Sequence, residues 1–114
     1  MDMYAAEAVL TLREQYPEIT LEIAIPHDGQ TAKWPQSLRD RAESIREEAD
    51  VITWIAHEYT KRCLFDRNYY MVSHCSVLLA CFDGQHGGTA QTIETAHRLG
   101  RLVTVVRPVR RKAA

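Results

Sequence analysis

The stretch Val77-Leu-Leu-Ala-Cys-Phe-Asp-Gly-Gln-His-Gly-Gly-Thr-Ala-Gln-Thr-Ile-Glu94 joins an apolar run to a helical one through three glycines in five positions, with a threonine directly after the last. Val77 to Phe82 is apolar on both faces, which is what a parallel strand covered by helices needs. Thr89 to Leu99 has the composition and length of a helix, and Gly100 stops it. Leu102 to Val106 is a second apolar run of strand size. Strand, glycine turn, helix and strand together make a βα unit.

The rest of the chain repeats that alternation. Tyr4 to Tyr16 reads as a helix with Ala5, Val9, Leu12 and Tyr16 on one stripe, Asp2 placed to cap its first turn and Pro17 ending it. Leu21, Ile23 and Ile25 alternate with Glu22 and Ala24 as a strand, which Pro26-His-Asp-Gly29 breaks. Leu38, Ala42, Ile45 and Ala49 form the apolar stripe of a charged helix. Val51 to Ala56 predicts another strand, and Phe65 to His74 another helix. Four helices alternating with four strands indicate an α/β layered domain spanning residues 1–106, followed by a basic tail from Arg107 to Ala114. A solvated end is preferred for that tail over a nucleic-acid arm.

Composition narrows the function classes. The chain has 114 residues, 46% hydrophobic and 25% charged, with a formal net charge of -1, so no positive field draws it to nucleic acid or an anionic membrane. No apolar stretch is long enough to span a bilayer, and the first residues lack the pattern of a targeting segment, which together predict a cytoplasmic protein. Three cysteines, Cys63, Cys75 and Cys81, lack the density of a disulfide framework and read as reduced, mostly buried thiols. The five histidines show no metal-ligand spacing, so no metal and no required cofactor are expected.

The glycine turn sits at the carboxyl end of one strand and the amino end of the next helix, where open α/β sheets bind ligands. Glycines there allow positive φ and close approach of the backbone, and the first helical amides offer donors to phosphate or carboxylate. Thr89 either adds a hydroxyl to such a site or caps the helix. Glycine turns of this kind also serve geometry alone.

Four stretches, taken in order, resemble one family. They are Asp2-x-x-Ala5-Ala-Glu7, then Ala24-Ile-Pro-His-Asp-Gly-Gln30 with Lys33-Trp-Pro35, then Arg67-Asn-Tyr-Tyr-Met71, then Asp83-Gly-Gln-His-Gly-Gly-Thr-Ala90. Together they look like the YpsA-like branch of the SLOG superfamily, the Rossmann-like group that includes the LOG phosphoribohydrolases and the DNA-processing DprA proteins. The resemblance implies a Rossmann-like three-layer sandwich with a mostly parallel sheet, and a pocket for a nucleotide-derived ligand with phosphate or ribose near Gly87, Gly88 and Thr89. On the same basis Arg67 is a ligand-binding arginine, and Asn68, Asp83, Gly84, Asp2 and Trp34 are further candidates. Each has a plainer reading. Arg67 could pair with Asp66 or Glu58, Asn68 and Asp83 could order their own turns, Asp2 could be only a cap, and Trp34, before Pro35, could staple the start of a helix.

Two departures shape the expected function. LOG enzymes carry Gly-Gly-x-Gly-Thr-x-x-Glu, and here Thr92 stands three residues after Thr89; Glu94 lies about 200 degrees further around the helix. A threonine cannot supply the carboxylate that steers water or steadies an oxocarbenium-like centre. Relatives of this branch also begin with a strand, a helix and a second strand ahead of the Asp-x-x-Ala-Ala-Glu helix, at which this chain opens. The strands at Leu21 and Val51 are therefore expected either to pair directly in a sheet reduced to about four strands or to leave a gap that another chain fills, and a homo-oligomer with a shared site is predicted. The leading expectation is a module that senses or sequesters a nucleotide derivative without turnover. The alternatives are a nucleotide-processing hydrolase using Asp83, Asp28 or Glu94, and a DprA-like single-stranded DNA binder using Arg110, Arg111 and Lys112, which the near-neutral charge disfavours.

Overall fold

The computed structural model describes residues 2–82, 84 and 87–107, and of Asp2 the backbone alone. Helices and strands alternate as α1 (Asp2–Gln15), β1 (Glu22–Ile25), α2 (Gln36–Glu48), β2 (Val51–Trp54), α3 (Cys63–Ser73), β3 (Val77–Cys81), α4 (Gly88–Arg98) and β4 (Leu102–Val106). The fold is α/β, with the order and number of elements expected from the apolar runs. All pairing is parallel: β1 runs beside β2 from Glu22↔Val51 to Ile25↔Trp54, and β3 beside β4 from Val77↔Leu102 to Cys81↔Val106. The four strands thus form two parallel pairs, and β1 and β2 are direct neighbours.

Two compact units divide the chain, Met1–Cys63 and Leu64–Ala114. In the first, α1 already includes Asp2 and ends two residues before Pro17, so Asp2 is helical and does not precede the helix as a cap. Ionic contacts set the arrangement of α1 and its neighbours. Arg41 of α2 donates through Nε to Glu7 Oε2 at 2.9 Å, pairs again with Glu7 Oε1, and lies 4.6 Å from the centre of the Tyr4 ring. Asp50 Oδ2 accepts the Leu21 N–H at 2.7 Å and the Arg13 guanidinium at 2.9 Å, which pins the start of β1 to the start of β2. Beneath these contacts Leu21, Ile25, Pro26 and Ile45 are buried.

In the second unit α4 packs across both β3 and β4. Val72 and Ala96 are fully buried, and Ala80 and Thr95 nearly so. Arg101 donates through Nε to Val72 O at 3.1 Å and through its terminal nitrogen to Ser73 O at 3.0 Å, satisfying the last carbonyls of α3 and fixing the approach to β4. The other face of this strand pair is open: Val77, Leu79 and Leu102 are 51%, 69% and 71% exposed. The expectation that the apolar strands are covered on both faces is therefore met on one face only. The thiols are all free, with Cys63 buried and Cys75 and Cys81 half-buried. No helix among the described residues is long and apolar enough to cross a membrane.

Candidate ligand-binding site

The turn from β3 into α4 gives its glycines different roles. Gly84 has φ +95° and Gly87 φ +153°, conformations that a side chain resists, so both are needed by the backbone itself. Gly88 is the first residue of α4 and is not among the positive-φ glycines, contrary to the expectation that it shares that freedom with Gly87. A Cβ on Gly88 would meet no described atom within 4 Å. Neither conformation nor packing among the described residues therefore requires glycine at 88, and what its lack of a side chain leaves is space over the helix start.

Gly87 is the N-cap of α4 and carries no capping side chain, which corrects the reading of Thr89 as a cap. The first intrahelical bond runs from Gln91 N–H to Gly87 O at 3.1 Å. The amides of Gly88, Thr89 and Ala90 precede it and have no intrahelical acceptor. They sit at the positive end of an 11-residue helix with no acidic residue in its first turn. Thr89 is exposed beside them. The backbone here can accept an anion.

The arginine and asparagine read from the sequence lie next to one another on α3. Arg67 donates through Nε to Asn68 Oδ1 at 2.9 Å, so it is oriented by its neighbour and not, through that nitrogen, by a carboxylate. Asn68 lines a cavity of about 10 Å³ together with Tyr69 of α3 and Gln91 and Thr92 of α4. That volume holds about one water molecule, so this cavity between described residues of α3 and α4 does not itself enclose a nucleotide. Thr92, at the position where the sequence motif calls for a glutamate, lines this cavity. Its hydroxyl donates to Gly88 O at 2.8 Å. Glu94 is exposed while Thr92 is half-buried, consistent with their opposed directions on the helix.

The remaining candidates separate. Trp34 is half-buried in the first unit, donates its N–H to Thr31 O at 3.0 Å and directly precedes Pro35, the N-cap of α2. The residue four positions into that helix is Arg39, so a hydrophobic staple has no apolar partner. Asp2 belongs to the same unit, and its side chain lies outside the described residues, as do Asp83, His86 and the tail residues Arg110, Arg111 and Lys112. Asp28 is engaged elsewhere: its N–H donates to His57 O at 3.2 Å, and His57 Nδ1–H donates to its Oδ1 at 3.2 Å. Sequence reading missed His57 and Gln91. Both could have been suspected from position, His57 just beyond the end of a strand and Gln91 one turn from the glycines.

The family model described as "YspA SLOG family" matches residues 1–99. The chain belongs to the YpsA SLOG family. It is similar to UPF0398 protein SH1465 of Staphylococcus haemolyticus, with 29% identity over 91 residues, covering 78% of this chain and 49% of the relative. A UPF0398 protein of Bacillus pumilus is 28% identical over 90 residues, covering 77% of this chain and 48% of the relative. UPF0398 protein BCG9842_B3730 of Bacillus cereus is 28% identical over 105 residues, 90% of this chain and 57% of that protein. The chain thus spans about half the length of the curated relatives it matches. Membership in the YpsA family agrees with the four stretches that suggested it and with the α/β order of the fold.

Proposed function

We propose that this YpsA-family chain binds a nucleotide or nucleotide-derived ligand through the turn from β3 into α4, sensing or sequestering it without turnover. The supporting observation is the set of amides at Gly88, Thr89 and Ala90, placed behind an N-cap without a side chain and beneath the open space at Gly88. A phosphate or ribose approaching that turn meets backbone donors and no competing carboxylate in the first helical turn. Arg67 supplies the fork for a phosphate, held in orientation by Asn68. Thr92 supports the reading without turnover, because its hydroxyl is bonded to the helix backbone and carries no charge to steer water. The protein acts in the cytoplasm on this reading, a compartment that suits its three free thiols.

The test is to incubate the protein with a pool of nucleotides, cyclic nucleotides, NAD and ADP-ribose, wash, denature, and identify what is released by mass spectrometry. An intact compound retained by the wild type and lost with Arg67→Ala is the expected result. Products accumulating with time would replace binding by hydrolysis. The open face of β3 and β4 favours a homo-oligomer, because parallel strands are stable when both faces are covered. Light scattering should then show self-association that Leu79→Lys abolishes, and a wild type that stays monomeric would end this part of the proposal.

A further inference from the structure

The carboxyl ends of β1 and β2 gather a second set of side chains, and the glycine turn plays no part in it. Beyond the paired residues Ile25 and Trp54, the two strands release loops containing His27, Asp28, His57 and Tyr59. Asp28 ties the loops together twice, through its N–H to His57 O and through its carboxylate to His57 Nδ1–H, each at 3.2 Å. The Trp54 and His57 rings stack with centres 6.3 Å apart. The His27 and Tyr59 rings meet edge-on at 5.5 Å. Four rings and the Asp28 carboxylate thus gather at the end of a parallel strand pair, where open α/β sheets take ligands.

The band is largely exposed: Tyr59 is 68% and Trp54 42% exposed, and the His57 side chain 78%. A large ring left in water at a strand end has its apolar surface unburied, and clustered exposure of this kind marks an interaction site. The polar atoms specify what would cover it. With the proton on Nδ1, a neutral His57 presents Nε2 as an acceptor, and the ionised Asp28 accepts only. Among the described residues neither Nε2 nor Asp28 Oδ2 makes a hydrogen bond. Two acceptors in the same loops as exposed rings match a flat heteroaromatic ring whose edge carries N–H donors.

We propose that the ends of β1 and β2 form a separate recognition site for a purine base with N–H donors on its edge, of the guanine type. Tyr59 and the exposed part of Trp54, whose ring Arg46 approaches at 5.9 Å, offer apolar surface for stacking, and Asp28 and His57 read the donor edge. The site lies wholly within the first unit, so it stands or falls independently of phosphate binding at the glycine turn.

Guanosine, which has no phosphate, is the probe. The chain has two tryptophans, so a Trp34→Phe background leaves Trp54 as the only tryptophan reporter. Guanosine should quench its fluorescence saturably, and inosine, which lacks the exocyclic amine, should bind about tenfold more weakly. Asp28→Asn and Tyr59→Ser should each weaken guanosine by about tenfold, with far-UV circular dichroism unchanged. Tyr59 is exposed enough that its variant tests the site even if Asp28→Asn impairs folding. No saturable response up to the solubility limit of guanosine, an equal response to uridine, or wild-type affinity in the folded variants would overturn the proposal.

Discussion

The chain enters α4 through Gly87 and Gly88, which present only backbone, whereas after β1 and β2 it leaves through loops crowded with rings and with the carboxylates Asp28 and Glu58. The position in an α/β fold is the same, but the chemistry on offer is opposite. Glycines directly before and at a helix start expose amide donors and suit an anion. Loops built from Asp28, His57, Trp54 and Tyr59 expose acceptors and aromatic faces, and suit a flat ring with donors. The position locates a site, and the residue types on the turn determine which ligand group it can receive.

The two regions also differ in what holds them. In the first unit, Glu7 is held below its usual range chiefly by the hydrogen bonds from Arg41, and Asp50 chiefly by the Leu21 N–H, with Arg13 adding to it. A carboxylate whose folded pKa is depressed stabilises the fold above its unfolded value, here 4.5 for Glu7 and 3.8 for Asp50, and that contribution is lost as pH falls through the folded value. The described side-chain bonds that fix the approach to β4, from Arg101 to Val72 O and Ser73 O, use no carboxylate. Acidification below those values should therefore loosen β1 and β2 before β3 and β4. Amide hydrogen exchange resolves the two, and earlier loss of protection in β3 would break the contrast.

A smaller effect separates two adjacent glycines. Gly87→Val forces a side chain into φ +153° and should destabilise the fold by about 1–3 kcal/mol in urea denaturation. Smallest of all is the effect of Gly88→Val on stability, within about 0.5 kcal/mol, although on the proposed reading its side chain enters the ligand's space and should abolish nucleotide retention. Equal destabilisation by the two substitutions would mean that Gly88 serves folding and not binding.

Much of this was legible in the chain before the fold was known. Apolar runs at Val51, Val77 and Leu102 marked three strands, and the stripe through Leu38, Ala42 and Ile45 marked α2, because burial imposes a period on sequence. Thr92 in place of a carboxylate was equally plain. What covers a strand was not, since an apolar run records a preference for burial and not its partner; Leu79 is 69% exposed despite it. The distinct roles of Gly87 and Gly88 depend on φ, which composition does not carry. The Asp28–His57 pair spans 29 positions and becomes visible only once the register of β1 on β2 brings their ends together.

The central claim is that backbone amides at the start of α4 receive the ligand. Amide chemical shifts of ¹⁵N-labelled protein, followed while AMP, GMP and ADP-ribose are added in turn, test it most directly. The account predicts that one of them moves the signals of Gly88, Thr89 and Ala90 saturably and that Arg67→Ala suppresses the change. Signals at those three positions that stay fixed for every compound, while others in the chain respond, would contradict it.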